Sequence, residues 1–268
     1  MAFTLHEKEN ISFIVSDVLG AKHGFTRALG KAGDYPYSSV NDPEWLRPER
    51  QEAVRTLWQQ VGRALALPEE GICFTRQVHE THIRFVTGEE RRWPPLPTLP
   101  PDCDGLITDR ENVPLCVFTA DCVPVLFEDR EAHLIAAVHS GWKGTVKDMM
   151  GAAVDAMTER GAKAENIRAA IGPAISKCCF QVGSEVKEAI DALLGADAEG
   201  LCPEDAREKG KYLADIKEAN RRRLIQCGVR AEHIDVSPDC TMCRSDVYWS
   251  HRVTHGVRGT QASIIVLE

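Results

Sequence analysis

The sequence has no long hydrophobic run. None of its 268 residues lies in a stretch that approaches the roughly 18 consecutive apolar residues needed to cross a bilayer. Residues 1–10 are polar and charged, and therefore do not resemble a secretory signal peptide. We accordingly expect a cytoplasmic protein that does not bind membranes.

Excess positive charge is absent too. Asp and Glu number 40 against 32 Lys and Arg, which gives a formal net charge of -8. This balance argues against general binding to nucleic acid, although a local basic pocket for a small anion is compatible with it. Internal repeats and flexible linkers are also missing. With 43% hydrophobic and 27% charged residues, the composition favours one globular domain over residues 1–268.

Cysteine, in contrast, is more frequent than usual. Because residues 1–10 do not resemble a signal peptide, the ten cysteines do not predict a disulfide scaffold, and most are expected to be reduced and buried. Cys240 and Cys243 form a Cys-x-x-Cys motif. Since the sequence offers no second such pair, this motif alone does not predict a structural zinc. The adjacent residues Cys178 and Cys179 receive no predicted role.

Helix and strand patterns alternate along the chain, which predicts a mixed α/β fold. Amphipathic spacing predicts a helix over residues 43–67, and five prolines make residues 88–103 a surface loop. Strands are predicted at residues 72–78, 104–108, 113–119, 123–127, 134–138, 167–171, 234–236 and 262–267. Further helices are predicted at residues 145–160, 182–194 and 212–227.

Three residues with metal-binding side chains lie where apolar strands end. His79 and His139 each follow a predicted strand, and Cys122 lies between two strands. Strand ends are where α/β folds place their sites. Two imidazoles and a thiolate can hold zinc and leave the fourth position to water or substrate. Each residue alone is more often a core residue, so this prediction requires that the fold bring all three together.

A glycine-containing segment, residues 140–145, directly precedes a predicted helix. Its sequence is Ser-Gly-Trp-Lys-Gly-Thr. Backbone N–H groups at such a position attract anions, so Ser140, Gly141 and Lys143 are candidates for holding phosphate. The spacing is not that of a P-loop. A turn with a helix N-cap is the simpler alternative.

Together these motifs resemble the laccase-domain, multicopper polyphenol oxidase-like family, also called YfiH-like. The resemblance extends over nearly the whole chain and is densest at residues 119–124 and 139–145. Further matching motifs lie at residues 23–27, 37–41, 77–79, 104–105, 171–175, 215–220, 240–241, 250–252 and 256–259. Residues 29–33 and 250–252 depart in part from the family pattern.

The resemblance implies a single-domain, mixed-sheet α/β sandwich with a metal site. The implied ligands are His79, Cys122 and His139, and the implied metal is zinc, with copper as the alternative. The family is described as acting on purine nucleosides, by phosphorolysis of adenosine, inosine, guanosine and methylthioadenosine and by deamination of adenosine. Older descriptions assign copper-dependent polyphenol oxidation, and bacterial members are linked to peptidoglycan editing.

Phosphorolysis requires an anion site on one face of the sugar and a proton donor for the departing purine. The candidate substrate and phosphate ligands are Asn41, Arg76, Ser140, Gly141, Lys143 and Arg252. Asp104 or Asp121 could donate the proton if protonated. For deamination, zinc activates water, but the sequence lacks the His-x-Glu motif of the cytidine-deaminase type, so no general acid or base is assigned.

Three other functions fit the same residues. A multicopper oxidase needs His-x-His pairs, and none occurs among the nine histidines. A metal-free cysteine hydrolase would use Cys122 as nucleophile and His139 as base. A protein that binds nucleosides without turnover would use the same pocket. The sequence predicts small-molecule partners, a nucleoside and phosphate, and leaves the oligomeric state open.

Overall fold

The computed structural model describes residues 2–30, 47–94 and 100–268. In chain order its strands are β1 Phe3–Lys8, β2 Ile11–Ser16, β3 Lys22–Thr26, β4 Ile83–Phe85, β5 Gly105–Thr108, β6 Leu115–Thr119, β7 Val123–Asp129, β8 Leu134–Ser140, β9 Arg168–Ile171, β10 Gln181–Val182, β11 Tyr212–Leu213, β12 Ile234–Val236 and β13 Gln261–Val266. Its α-helices are α1 Pro48–Ala64, α2 Trp142–Val146, α3 Met149–Thr158, α4 Ser184–Leu194, α5 Ile216–Gln226 and α6 His251–Thr254. The predicted mixed α/β fold is confirmed.

Two main sheets organise these strands. One has five antiparallel strands in the order β1-β2-β3-β13-β6. The other has six strands in the order β12-β9-β7-β8-β5-β4 and is mixed, because β12 and β4 pair in parallel with their neighbours. A short antiparallel pair, β10 with β11, lies apart from both sheets. The long-range pairing of β13 with β3 and β6 joins the two ends of the chain in one sheet.

The two sheets pack face to face, and helices cover their outer faces. Along β6, Leu115 and Val117 face the other sheet, whereas Cys116 and Phe118 pack with α1. Along β8 the same alternation turns Ile135 toward the first sheet and the residues on either side toward α3, α4 and α5. Successive side chains of a strand point to opposite faces. Strands buried on both faces therefore read as continuous apolar runs, which is why the sequence shows them so clearly.

Several predicted boundaries are wrong, each for a local reason. The helix predicted over residues 145–160 is two helices, because Asp148 adopts a left-handed φ of 70° and its carboxylate accepts a hydrogen bond from the Gly151 N–H. The helix predicted over residues 212–227 begins only after Asp215, which caps α5 by accepting from the Glu218 N–H. Residues 181–182 pair with 212–213 as strands, so α4 begins later than predicted.

Residues 72–78 do not form the predicted continuous strand. They make separate bridges instead, in which Ile72, Cys73 and Arg76 each pair with a different partner. The helix predicted from residue 43 is observed from Pro48, and residues 43–46 lie outside the described part of the chain. Within that part, no helix is both long enough and apolar enough to traverse a lipid bilayer. A single domain over residues 1–268 stays a prediction.

Helix α1 depends on one aromatic side chain. Trp58 is 1% exposed and meets Phe118 of β6 edge-on, with ring centroids 5.6 Å apart. Truncating a buried aromatic side chain removes its contacts and leaves a cavity. We expect Trp58→Ala to lower the free energy of unfolding by about 3–5 kcal/mol, measured by urea denaturation. The matched control is the exposed neighbour Gln59→Ala, which should change it by less than about 0.5 kcal/mol. Equal effects of the two substitutions would contradict this packing.

Candidate metal centre

The three predicted metal ligands meet in space. One ligand atom from each of His79, Cys122 and His139 lies within 4.8 Å of the other two. The imidazole rings of His79 and His139 lie edge to face, with centroids 4.8 Å apart. His139 is the penultimate residue of β8, and Cys122 directly precedes β7, its antiparallel neighbour. The pairing of these two strands therefore fixes a thiol beside an imidazole.

His79 reaches the site from a loop that a single carboxylate holds in shape. Asp104 is fully buried and accepts hydrogen bonds from the N–H groups of Val78 (3.0 Å), His79 (3.0 Å) and Glu80 (2.9 Å). Three successive N–H groups can point at one anion only if the backbone curls around it. His79 accordingly has a left-handed φ of 63°. This curl turns a loop residue toward the sheet.

The same carboxylate orients the second histidine. The Nδ1 of His139 lies 2.7 Å from an Asp104 oxygen. Because the Nδ1–H group donates a hydrogen bond to the carboxylate, Nε2 is the nitrogen left to bind a metal. One buried acid thus positions both imidazoles.

The pKa values of the two histidines are shifted in opposite directions. Burial alone would lower the pKa of His139, but the Cys122 sulfur and the Asp104 carboxylate outweigh burial and raise it to about 9. Burial and the neighbouring His139 lower the pKa of His79. Although burial opposes it, hydrogen bonds from His139 and the loop N–H groups lower the pKa of Asp104. Asp104 accepts four hydrogen bonds and has a lowered pKa, which does not favour the proton-donor role predicted for it.

Gly141, directly after β8, lies against the ligand side chains and leaves no room for a side chain of its own. A Cβ added there would lie 2.7 Å from His79 Nδ1 and 3.0 Å from Cys122 Sγ. Any other residue would press into the ligands. Gly141 therefore belongs to the metal centre because it has no side chain that would displace the ligands. Its predicted role was phosphate binding.

The donor set fits zinc. Two imidazole nitrogens and one sulfur are three of the four ligands that zinc takes, and they are mutually close enough to share one ion. His139 is buried and has its carboxylate partner, as zinc-binding histidines usually do. His79 is exposed and Cys122 is half-buried, so an ion held by these three residues would keep one position open. Such an open position is typical of catalytic rather than structural zinc.

A cavity of about 510 Å³ opens beside this centre. Its volume is within the range of small-molecule sites. Its lining combines rings and aliphatic groups with several charges. The apolar lining residues are Ala120, Trp142, Ile175, Phe180, Val182, Val186 and Ile216, and the polar ones are His79, Asp121, Cys122, Gln181, Glu185, Lys211, His251, Arg252 and Arg258, with Gly183 between them. The lining thus provides both apolar surface and cationic groups.

Asp121 is a structural anchor at the cavity wall. Its backbone has a left-handed φ of 85°. Its carboxylate accepts hydrogen bonds from Thr241 Oγ1 (2.6 Å), Ser250 Oγ (3.0 Å) and the Arg252 N–H (2.7 Å). These contacts fasten residues 241–252 beside Cys122. They suit a positioning residue, whereas the prediction was a proton donor.

Most of the predicted phosphate ligands lie elsewhere. Ser140 is buried, and its hydroxyl bonds to Thr145 and Asn220, each at 3.0 Å, so it cannot reach a substrate. Lys143 is exposed above the Trp142 ring, and Arg76 pairs with Asp102 on the surface; neither lines the cavity. Asn41 lies outside the described residues. Arg252, in contrast, lines the cavity, and its guanidinium lies 5.4 Å from the Phe180 ring centroid.

Three charged residues of the cavity were not predicted. Lys211, Glu185 and Arg258 all line it. Arg258 belongs to the motif at residues 256–259, so the resemblance contained a signal for it. Lys211 and Glu185 belong to none of the motifs that carry the resemblance, and no local pattern marks them.

Comparison with known proteins agrees with this fold. The family model described as multi-copper polyphenol oxidoreductase laccase matches residues 22–268. The protein named purine nucleoside phosphorylase YlmD, from Geobacillus stearothermophilus, is 34% identical over 249 residues, which cover 92% of this chain and 90% of that protein. Adenosine deaminase RL5, from an unknown prokaryotic organism, is 37% identical over 149 residues, 56% of either chain.

A solved structure is similar over almost the full length. The crystal structure of YlmD from Geobacillus stearothermophilus superposes with a TM-score of 0.83 at 31% sequence identity and covers 96% of both chains. The family match, the near-complete coverage and the shared fold agree with each other. The chain therefore belongs to the multi-copper polyphenol oxidoreductase laccase family, which the sequence motifs had indicated.

Proposed function

We propose that this chain is a zinc-dependent purine nucleoside enzyme. Its reactions are phosphorolysis of adenosine, inosine, guanosine or methylthioadenosine and deamination of adenosine. The observation that carries the proposal is the convergence of His79, Cys122 and His139 at the edge of a cavity large enough for a nucleoside. The names of the relatives, a purine nucleoside phosphorylase and an adenosine deaminase, support it.

The cavity offers a chemical match for each part of the substrates. A purine is flat and apolar on its faces, and Phe180, Trp142 and Ile175 supply apolar surface for it. Phosphate requires cations, and Arg252, Arg258 and Lys211 supply them. We therefore place the phosphate at Arg252, Arg258 and Lys211, and not at the predicted ligands Lys143 and Arg76.

Each proposed reaction is a simple exchange of bonds. In phosphorolysis, the bond between C1′ and the purine nitrogen breaks, a phosphate oxygen bonds to C1′, and the purine leaves with a proton. In deamination, water adds at C6 of adenine and ammonia leaves. When bound by His79, Cys122 and His139, zinc would supply Lewis-acid polarisation and the activation of water. Asp104 keeps the His139 Nε2 directed at this position by holding Nδ1–H.

Proton transfer is assigned to a carboxylate that the sequence did not mark. Asp104 is engaged by four donors and Asp121 by three. Glu185 is the other carboxylate in the cavity lining and lies at the first turn of α4. We propose it as the group that carries a proton to or from the purine.

A metal-free cysteine hydrolase is the second candidate, because one observation favours it. The His139 imidazole is hydrogen bonded to both Cys122 and Asp104, which is the order of groups in a nucleophile–base–acid triad. This alternative gives no role to His79, although a ring nitrogen of His79 also lies within 4.8 Å of the sulfur. Loss of activity on removal of zinc separates the two candidates, since only the zinc enzyme requires the metal.

A multicopper oxidase is less well supported by the ligands. In the described part of the chain, two groups of three or more metal-binding side chains occur, and one of them consists of cysteines alone. The His79, Cys122 and His139 set can bind copper, so phenol oxidation by the copper-loaded protein is a side activity at most. The same assay with phenols in place of nucleosides measures it.

Removal of one metal ligand should abolish turnover without unfolding the chain. We expect His79→Ala and Cys122→Ala to lose the zinc of this centre and nucleoside turnover, because two protein ligands hold zinc far more weakly than three. Turnover is measured with adenosine in the presence and absence of phosphate: adenine with ribose phosphate indicates phosphorolysis, and inosine indicates deamination. Zinc is measured by elemental analysis.

The control for this experiment is His82→Ala. His82 is exposed and lies three residues after His79. Its loss should leave zinc and activity unchanged. Full activity of the Cys122→Ala protein would end both the zinc proposal and the hydrolase alternative, and nucleoside binding without product in the wild type would indicate a binding protein.

Replacement of the positioning carboxylate should weaken the metal rather than the fold alone. We expect Asp104→Asn to reduce zinc affinity by about 10- to 100-fold, because an amide cannot accept from all four donors and leaves His139 without its partner. Competition with a chelator of known affinity measures this. The control is Asp102→Asn, two residues away on the surface, which should bind zinc as the wild type does. If both variants bind zinc equally, Asp104 does not position the ligands.

The glycine of the metal centre provides a steric test. Gly141→Ala places a methyl group 2.7 Å from His79 Nδ1 and 3.0 Å from Cys122 Sγ, so zinc binding and activity should be lost. Gly144→Ala is a close control, since its methyl would meet no atom nearer than 3.7 Å. We expect Gly144→Ala to retain its zinc. Normal zinc content in Gly141→Ala would show that the ligands are not arranged as described.

A further inference from the structure

Four cysteines that are distant in sequence lie together outside the first metal centre. One sulfur from each of Cys178, Cys179, Cys240 and Cys243 lies within 4.8 Å of the other three. In the sequence they are two separate pairs, about 60 residues apart. The fold joins these pairs because the chain after β9 runs beside the chain after β12, with Ala174 and Cys240 paired in a parallel bridge.

The spacing of the sulfurs suits ligands that share one ion. Cys243 Sγ lies 3.5 Å from Cys178 Sγ and 3.3 Å from Cys179 Sγ. In tetrahedral zinc sites the Zn–S distance is about 2.3 Å, which places the sulfurs about 3.8 Å apart. A disulfide requires about 2.05 Å between sulfurs, and these cysteines are free.

The backbone around Cys240 is arranged for a negatively charged sulfur. The Ser176 N–H donates to Cys240 Sγ at 3.3 Å, and the N–H groups of Met242 and Cys243 are also directed at this sulfur. N–H groups that donate to ligand atoms typically surround metal sites. The Thr241 N–H donates to the Ala174 carbonyl at 3.1 Å, which holds the two segments together.

A buried cation lies beside the cluster. Lys217 is 5% exposed, and its ammonium donates to the carbonyls of Ser237 (2.7 Å) and Asp239 (3.0 Å), directly before Cys240. Four thiolates around a divalent ion carry a net charge of about −2. A buried lysine near this charge offsets part of it, and the excess negative charge in turn offsets the cost of burying the ammonium.

We propose that Cys178, Cys179, Cys240 and Cys243 form a structural zinc site. All four ligands come from the protein, so no position remains open for water or substrate, which distinguishes it from the centre at His79, Cys122 and His139. Tetrahedral sulfur ligands select zinc or iron. We assign zinc because the proposed role requires no change of oxidation state.

The zinc would hold together one wall of the cavity. The first segment continues from Cys179 to the lining residue Phe180. The second continues from Cys243 to Ser250 and Arg252, both hydrogen bonded to Asp121. A tetrahedral ion between the two segments therefore fixes lining residues on both sides. This site does not depend on the proposed nucleoside chemistry.

The number of zinc ions in tag-free protein tests the proposal. We expect two equivalents in the wild type, one in Cys122→Ala, one in Cys243→Ser and none in the double variant. The control is Cys227→Ser, a half-buried cysteine outside the cluster, which should retain two. Cys243→Ser should also lower the thermal midpoint more than Cys122→Ala, because its zinc joins two segments of the fold.

X-ray absorption at the zinc edge tests the same site without any change in the cluster. In Cys122→Ala the remaining zinc should show four sulfur neighbours at about 2.3 Å. Nitrogen neighbours, a single equivalent in the wild type that Cys243→Ser leaves in place, or iron in place of zinc would overturn the proposal. So would protein without zinc at the cluster whose mass is lower by two hydrogens, because that is a disulfide. Loss of zinc from the centre at His79, Cys122 and His139 alone would not change the results expected for the cysteine cluster.

Discussion

The buried carboxylate of Asp104 is the constraint on which the metal centre depends. An ionised acid at zero exposure is costly unless its oxygens are fully hydrogen bonded. Here three loop N–H groups and one imidazole satisfy it. The loop around His79 can adopt its left-handed turn because its hydrogen bonds to this carboxylate offset the backbone strain. The acid and the loop thus require each other, and the metal ligand is a consequence of both.

The other two ligands are held by the sheet instead. Strands β7 and β8 are buried on both faces, so a shift of register by one residue would exchange two complete apolar surfaces. The register that places Pro124 opposite His139 is therefore fixed by the core and not by the site. Strand pairing holds Cys122 and His139 for this reason, whereas His79 is held by the hydrogen bonds between its loop and Asp104.

The residues show where sequence reasoning succeeds. Continuous apolar runs marked β7 and β8, and polar residues at their ends marked Cys122 and His139, because burial and strand ends both leave local patterns. Ser140 shows the limit: it looked like an anion ligand in sequence, but its hydroxyl bonds to Asn220, 80 residues away. The exposed strand β1 has little apolar alternation, and no strand was predicted there. Partners distant along the chain cannot be read from local spacing.

Asp121 connects the two clusters of metal-binding side chains. It precedes Cys122 by one residue, and its carboxylate bonds to Thr241, which lies between two of the four clustered cysteines. The Ile175 N–H also donates to the Asp121 carbonyl, at 2.9 Å, from the segment that carries the other two cysteines. Both segments of the cysteine cluster are therefore tied to the residue beside Cys122. Because hydrogen bonds of this kind tolerate little displacement, disorder in the cysteine cluster would reach Cys122 and the cavity wall together, through Asp121.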